Sequence, residues 1–132
     1  MNDNLKQFEN QKYLNIETFR KNGQGVKTPV WFAQDGETLH LWTQADSGKA
    51  KRIRRDGSVR VAPALMSGEL VGEWLPARAQ ADESSEAINH VKKLMTKKYG
   101  LMFHIFGFVG RMRGGSKYTD IKINLQETSK LN

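Results

Sequence analysis

Along residues 13–21 the side chains alternate. Tyr13, Asn15, Glu17 and Phe19 face one way and Leu14, Ile16, Thr18 and Arg20 the other, the two-residue period of a strand. Asn22-Gly23 follows, a pair that tolerates positive φ and predicts a hairpin. Val26 to Gln34 is expected as a second strand, Asp35-Gly36 as a turn and Thr38 to Thr43 as a third strand, the three forming a meander. Upstream, Leu5 and Phe8 share one side of a short amphipathic helix over residues 5–12.

The period then changes. Ser47 is the expected N-cap of a short basic helix, Lys49 to Arg55, which Asp56-Gly57 ends. Ser58 to Ala64 reads as the fourth strand, and Leu70 to Ala81, after a Ser67-Gly68 turn, as a long fifth. Asp82 is expected to cap the main helix, which reaches Tyr99 and stops at Gly100. Glu83 and Glu86 near its start, and Lys92, Lys93, Lys97 and Lys98 near its end, complement the helix dipole. Ile88, Val91, Leu94 and Met95 form its apolar face. A short apolar helix is expected from Leu101 to Val109, then a Gly-rich basic loop to Lys117, then a final strand from Tyr118 to Leu125. No repeat or linker divides the sequence, so residues 1–132 read as one mainly β (α+β) domain, a small barrel of six strands with helices.

A chain of 132 residues is long enough to bury a core without staples. It contains no cysteine, which excludes disulfides, thiolate metal sites and a cysteine nucleophile. Twenty-one Lys and Arg against 14 Asp and Glu give a charge of +7, which suits a nucleic acid, a phosphorylated cofactor or an acidic substrate. The most apolar run, Leu101 to Gly110, contains His104 and falls short of the roughly 20 residues of a membrane span. The N-terminal Met1 to Lys6 is polar, without the apolar core of a signal peptide. A soluble, cytoplasmic protein is expected.

Candidate chemistry concentrates in Thr43-Gln44-Ala45-Asp46-Ser47-Gly48-Lys49-Ala50-Lys51-Arg52. A strand ends on Thr43, and Ser47 and Gly48 open a helix whose first turns carry Lys49, Lys51 and Arg52. Free N–H groups and partial positive charge at a helix N-terminus favour a phosphate. Hydroxyls of Thr43 and Ser47 and the cationic side chains add hydrogen bonds. The alternative is a capped, solvated basic helix. Upstream, Pro29 within Val26-Lys27-Thr28-Pro29-Val30-Trp31-Phe32 removes a ladder donor and implies an edge or bulge. A planar ligand can lie against such exposed backbone; the alternative is an edge strand with packed aromatics.

Together these segments resemble the pyridoxamine 5'-phosphate oxidase-like, split β-barrel superfamily, in particular its branch of deazaflavin-dependent oxidoreductases. The residues that carry the resemblance are Tyr13-Leu14, Thr18-Phe19-Arg20, Asn22-Gly23, Thr28-Pro29-Val30-Trp31-Phe32, Thr43, Ser47-Gly48-Lys49, Lys51-Arg52-Ile53-Arg54, Val59, Val61-Ala62-Pro63, Gly72 and Lys98-Tyr99-Gly100, in order over about residues 8–125. The resemblance implies a six-stranded split barrel that dimerises, with two cofactor grooves at the subunit interface. It implies that Thr43, Ser47, Gly48, Lys49 and Arg52 hold the phosphate of FMN or of the deazaflavin coenzyme F-420. The backbone around Lys27, Thr28, Pro29 and Val30 would face the ring system. Arg60 would reach the phosphate, and Trp31, Trp42 and Trp74 would line the cavity or the dimer core. The oxidases of the superfamily carry an additional C-terminal segment for their substrate; this sequence ends soon after its last strand, so pyridoxine-phosphate oxidation is not expected.

The implied activity is hydride transfer between a flavin-type cofactor and a small conjugated substrate, the ring supplying the redox chemistry. The alternative is a non-catalytic flavin- or haem-binding protein on the same fold. His40, His90 and His104 lie far apart and lack ligand spacing, so no metal site is expected; His104 is the one candidate proton donor. Gly23-Gln24-Gly25 joins two strands and is no dinucleotide fingerprint. The basic loop Arg111 to Lys117 would cover an anionic tail or remain solvated. A nucleic-acid-binding barrel is disfavoured because the basic residues concentrate in one helix instead of interleaving with exposed aromatics along a sheet.

Overall fold

In the computed structural model, which describes residues 3–103 and 117–126, the alternating segment forms strand β1, Tyr13–Phe19. It is followed by β2 (Gly25–Trp31), β3 (Ala33–Asp35), β4 (Thr38–Gln44), helix α1 (Gly48–Arg55), β5 (Ser58–Ala64), β6 (Leu75–Asp82), helix α2 (Ser85–Tyr99) and β7 (Tyr118–Leu125). The sheet has the order β2-β1-β5-β6-β7-β4-β3, with every pair antiparallel.

The expected second strand is two strands. β2 pairs with β1 at one edge of the sheet, and β3 pairs with β4 at the other. A single residue, Phe32, joins them. The two edges are therefore consecutive in the chain, and the sheet curls into a half-barrel split along this seam. Counted as one interrupted strand, β2 and β3 restore the six strands expected. The expected meander holds through this break: the first half of the interrupted strand, β2, pairs with β1, and the second, β3, pairs with β4, which has β7 on its other side.

A residue between two ladders has no strand partner for its backbone, and buried backbone groups must find one. At Phe32 the partners come from the end of α2. The Phe32 N–H donates to the Tyr99 hydroxyl at 3.1 Å. That hydroxyl's single proton serves either the Phe32 carbonyl at 2.5 Å or the Lys12 carbonyl at 2.6 Å. Lys98 Nζ also donates to the Phe32 carbonyl, at 2.8 Å.

The sheet has an apolar core on each face. Leu14, Ile16, Leu39, Leu41, Val59, Val61, Ile121 and Ile123 fill the barrel, with Phe8, Phe32 and Ile53 of α1. On the outer face Ala33 packs with Val91, Met95 and Phe103, flanked by Trp31 and Trp42. The apolar face of α2 thus packs on the sheet's outer surface.

Three boundaries differ from expectation. The N-terminal element is a 3-10 helix, Asp3–Phe8, in which Leu5 and Phe8, three apart, eclipse one another and both bury. The fifth strand starts at Leu75, because residues 65–74 form a loop over the outer face, held by the Asn15 amide on the Gly68 carbonyl at 3.1 Å and the Val71 N–H on the Pro63 carbonyl at 2.9 Å. The cap of α2 is Ser84, whose Oγ accepts the Ala87 N–H at 3.2 Å. Asp82 is the last residue of β6, opposite Asp120, and its carboxylate is taken by Lys122 at 2.9 Å and the Ser84 N–H at 2.9 Å. Residues 101–103 are helical, and the rest of the expected 101–109 helix lies outside the described residues. Among the described residues no helix is long and apolar enough to cross a membrane.

Ser84→Ala should lower stability by about 1 kcal/mol in urea unfolding; a neutral result would place the helix start elsewhere. Lys122, then Ser84, hold the Asp82 carboxyl at about 2, below its ordinary value. A depressed carboxylate adds stability above its unfolded pKa, and that contribution disappears as pH falls toward 2. The pair is near the surface, so its worth is at most about 1 kcal/mol. The melting difference between wild type and Asp82→Asn should therefore shrink between pH 4 and pH 2.

Candidate functional site

Helix α1 is anchored by Ala50 and Ile53, both buried, so its N-terminal turn is fixed relative to the barrel. Ser47 is its cap, as expected, in extended backbone with Oγ accepting the Ala50 N–H at 3.1 Å. The amides of Gly48 and Lys49, ahead of it, have no intrahelical acceptor. Arg52 folds back over this turn, its Nε donating to Thr18 Oγ1 of β1 at 2.7 Å. Glycine at 48 permits that path, since a Cβ there would lie 2.8 Å from Arg52 Nη1.

Arg55 donates to the Phe19 carbonyl at the end of β1. Burial, then the Arg52 charge, lowers the Lys49 ammonium pKa from its ordinary range. Burial, then Arg20 and Arg55, lowers that of Arg52. Among the described residues none of Arg20, Lys49, Arg52 and Arg55 forms an ion pair with a carboxylate. Lys49 and Arg52 thus join the two free amides of the first turn, with Arg20 and Arg55 flanking Arg52, and no carboxylate neutralises them among the described residues. Such a turn favours an anion, and its donors suit a phosphate.

Ser47, Gly48, Lys49 and Arg52 therefore come together as expected. Thr43 sits in β4 opposite Thr119, four residues ahead of Ser47. Lys27, Thr28, Pro29 and Val30 lie in edge strand β2, where Pro29 faces Asn15 of β1. Arg60 is committed elsewhere. It pairs with Glu17 at 2.5 Å and lies 5.0 Å from the Trp74 ring centroid, with Lys27 Nζ 5.5 Å from the same ring. Glu17 alternates with Thr18, so this cluster is on the sheet face opposite the Arg52–Thr18 contact. Glu17 packs so closely on Gly25 that a Cβ there would lie 2.0 Å from its Oε2, which accounts for that glycine. Trp31 stacks on Tyr99 and Trp42 on Tyr118, each at 4.5 Å, as walls of the α2 core.

A second polar cluster, absent from the sequence expectations, lies between α2 and the outer face of β3, β4 and β7. Buried His40 holds Nδ1 at 3.0 and 3.1 Å from the two oxygens of buried Asp120. Its ring is 5.4 Å from that of His90 on α2, and His90 Nε2 lies 2.8 Å from Asp35 Oδ2. Asp35, His40 and His90 line an open cleft of about 490 Å³ with Asp82, Glu86 and Lys122. Fifty residues separate the histidines, and no spacing signal links them; only the docking of α2 on β4 does. His104 and residues 111–116 of the basic loop lie outside the described residues.

No protein-family model and no curated protein matches the sequence. Solved structures match in fold. The haem storage protein HutZ of Vibrio cholerae is 16% identical with a TM-score of 0.69, covering 96% of this chain and 92% of that one. A candidate pyridoxamine 5'-phosphate oxidase of Listeria innocua is 16% identical with a TM-score of 0.66, over 92% and 90% of the two chains. An F420 reductase is 15% identical with a TM-score of 0.60, over 92% of each. The chain has the split-barrel fold of pyridoxamine 5'-phosphate oxidase-like proteins.

Proposed function

We propose that this protein is an oxidoreductase that binds a phosphorylated flavin-type cofactor, FMN or the deazaflavin coenzyme F-420, through the first turn of α1. The observation that carries the reading is the cationic first turn of α1: Lys49 and Arg52 lie near one another, Arg20 and Arg55 flank Arg52 on its other side, and no carboxylate pairs with any of the four among the described residues. Lys49 and Arg52 hold the phosphate as charged donors, Ser47 keeps the turn open, and Gly48 leaves room for the guanidinium. Thr43 adds a hydroxyl from the end of β4. The backbone of Lys27, Thr28, Pro29 and Val30 offers its unpaired edge to the ring system. The bound cofactor supplies hydride transfer to or from a small conjugated substrate. The likeness in fold to an F420 reductase supports this choice of cofactor class.

The active form is a homodimer with the groove at the interface. Leu65, Met66, Leu70 and Val71, exposed by 46%, 72%, 37% and 47% in the loop over β1 and β5, support a partner surface there. The likeness to HutZ supports haem storage as the second reading. Absorption-monitored titration of the purified chain with FMN, the deazaflavin coenzyme and haem separates the two. Binding of FMN or deazaflavin that is lost in Lys49→Ala is the expected result. Binding of haem alone, or of none of the three, overturns the redox reading.

A further inference from the structure

The His40–His90 cluster shares no residue with the α1 turn. We propose that Asp35, His40 and His90 form a binding site for a divalent transition-metal cation of the zinc type. One donor atom from each of the three lies within 4.8 Å of the others. Two imidazoles and a carboxylate are a donor set that zinc takes, usually with a fourth ligand from solvent or substrate.

Support around the donors is what distinguishes this group from a chance surface cluster. A ligating histidine characteristically gives its second ring nitrogen to a carboxylate, which fixes its tautomer and aim. Asp120, fully buried, does this for His40 Nδ1, leaving Nε2 as the nitrogen to bind metal. The strand register permits the arrangement: His40 and Asp120 sit on adjacent strands as a diagonal pair on one face, two residues off the directly opposed pairs His40–Lys122 and Trp42–Asp120. The adjacent cation, Lys122, is drawn aside by Asp82 at 2.9 Å.

Bonds of about 2.1 Å to a tetrahedral ion require donors roughly 3.4 Å apart; the three donors lie within 4.8 Å of one another, while His90 and Asp35, at 2.8 Å, are closer than the ion requires. His40 is fixed, but His90 and Asp35 have side chains 48% and 53% exposed and can close on it. Metal binding would replace the His90–Asp35 hydrogen bond with two metal bonds. The fourth position would face the open cleft, free for water or an anionic ligand oxygen.

The test uses the tag-free full-length chain, freed of metal with a chelator and checked by circular dichroism. It is titrated with Co2+, followed by visible absorption, and with Zn2+ against a chromophoric chelator. Wild type should bind one Zn2+ per chain, and Co2+ should give the intense bands of a four-coordinate site. His90→Ala and Asp35→Asn, at exposed positions, should each weaken binding at least about tenfold, and Asp120→Asn by about 10- to 100-fold. Should Asp120→Asn not fold, the two exposed variants decide. Absence of stoichiometric Zn2+ binding, or wild-type affinity in His90→Ala, overturns the proposal.

Discussion

Phe32→Ala should lower the unfolding free energy by about 3–5 kcal/mol, the range of phenylalanine truncations in packed cores. Phe32 is 1% exposed, meets the Phe8 ring edge-on at 5.8 Å and lies 3.7 Å from Lys98 Nζ. Its position amplifies the loss. The strands on either side of Phe32 are each held by one ladder, β2 by β1 and β3 by β4. At Phe32 the chain leaves one edge of the sheet and joins the other, so the side chain and the α2 contacts are what hold the seam.

Burial brings the Lys98 ammonium at this seam down to about 8. Tyr99→Phe is the control: it keeps the ring stacked on Trp31 but leaves the Phe32 N–H without its acceptor, at a cost of about 1–3 kcal/mol. Urea unfolding of both, and of the double variant, should show non-additive losses, as contacting residues do. A cost below about 1 kcal/mol for Phe32→Ala would mean that the seam opens without disturbing the barrel.

Replacing Lys49 and Arg52 together by Ala should weaken binding of the phosphorylated cofactor at least a hundredfold. A hydrogen bond to a charged group contributes about 1.5–3 kcal/mol, and each 1.4 kcal/mol is roughly tenfold in affinity. Stability should fall far less. The variant loses the Arg52–Thr18 bond but also removes the repulsion of Arg52 with Lys49, Arg20 and Arg55. Raising salt should weaken the wild type more than the double variant, because the variant lacks two of the charges on which screening acts. Cofactor affinity that does not change in the double variant, measured by titration, would remove α1 from the site.

Much of the fold was legible in local pattern. Ser58–Ala64 and Tyr118–Leu125 form strands over the expected residues, and Ser47 and Gly100 bound their helices as their chemistry requires. The cationic turn was readable too, since Ser47, Gly48, Lys49 and Arg52 lie within six consecutive positions. Errors fell where local signals compete. Asp82 and Ser84 are both good cap residues, and the choice between them was made by Lys122, which binds the Asp82 carboxylate from β7, forty residues away. Arg60 looked free to reach a phosphate until strand pairing set it beside Glu17.

Local pattern was enough for the first, fourth and last strands, the hairpin turns and the cationic start of α1, because each depends on neighbours within about one helical turn. Only the tertiary structure decided that the second strand splits at Phe32, that Lys98 and Tyr99 satisfy that break, and that His40, His90 and Asp35 meet beside Asp120. Those arrangements join residues 50 to 80 positions apart. They arise from sheet curvature and from the docking of α2, and neither leaves a period or a spacing in the chain.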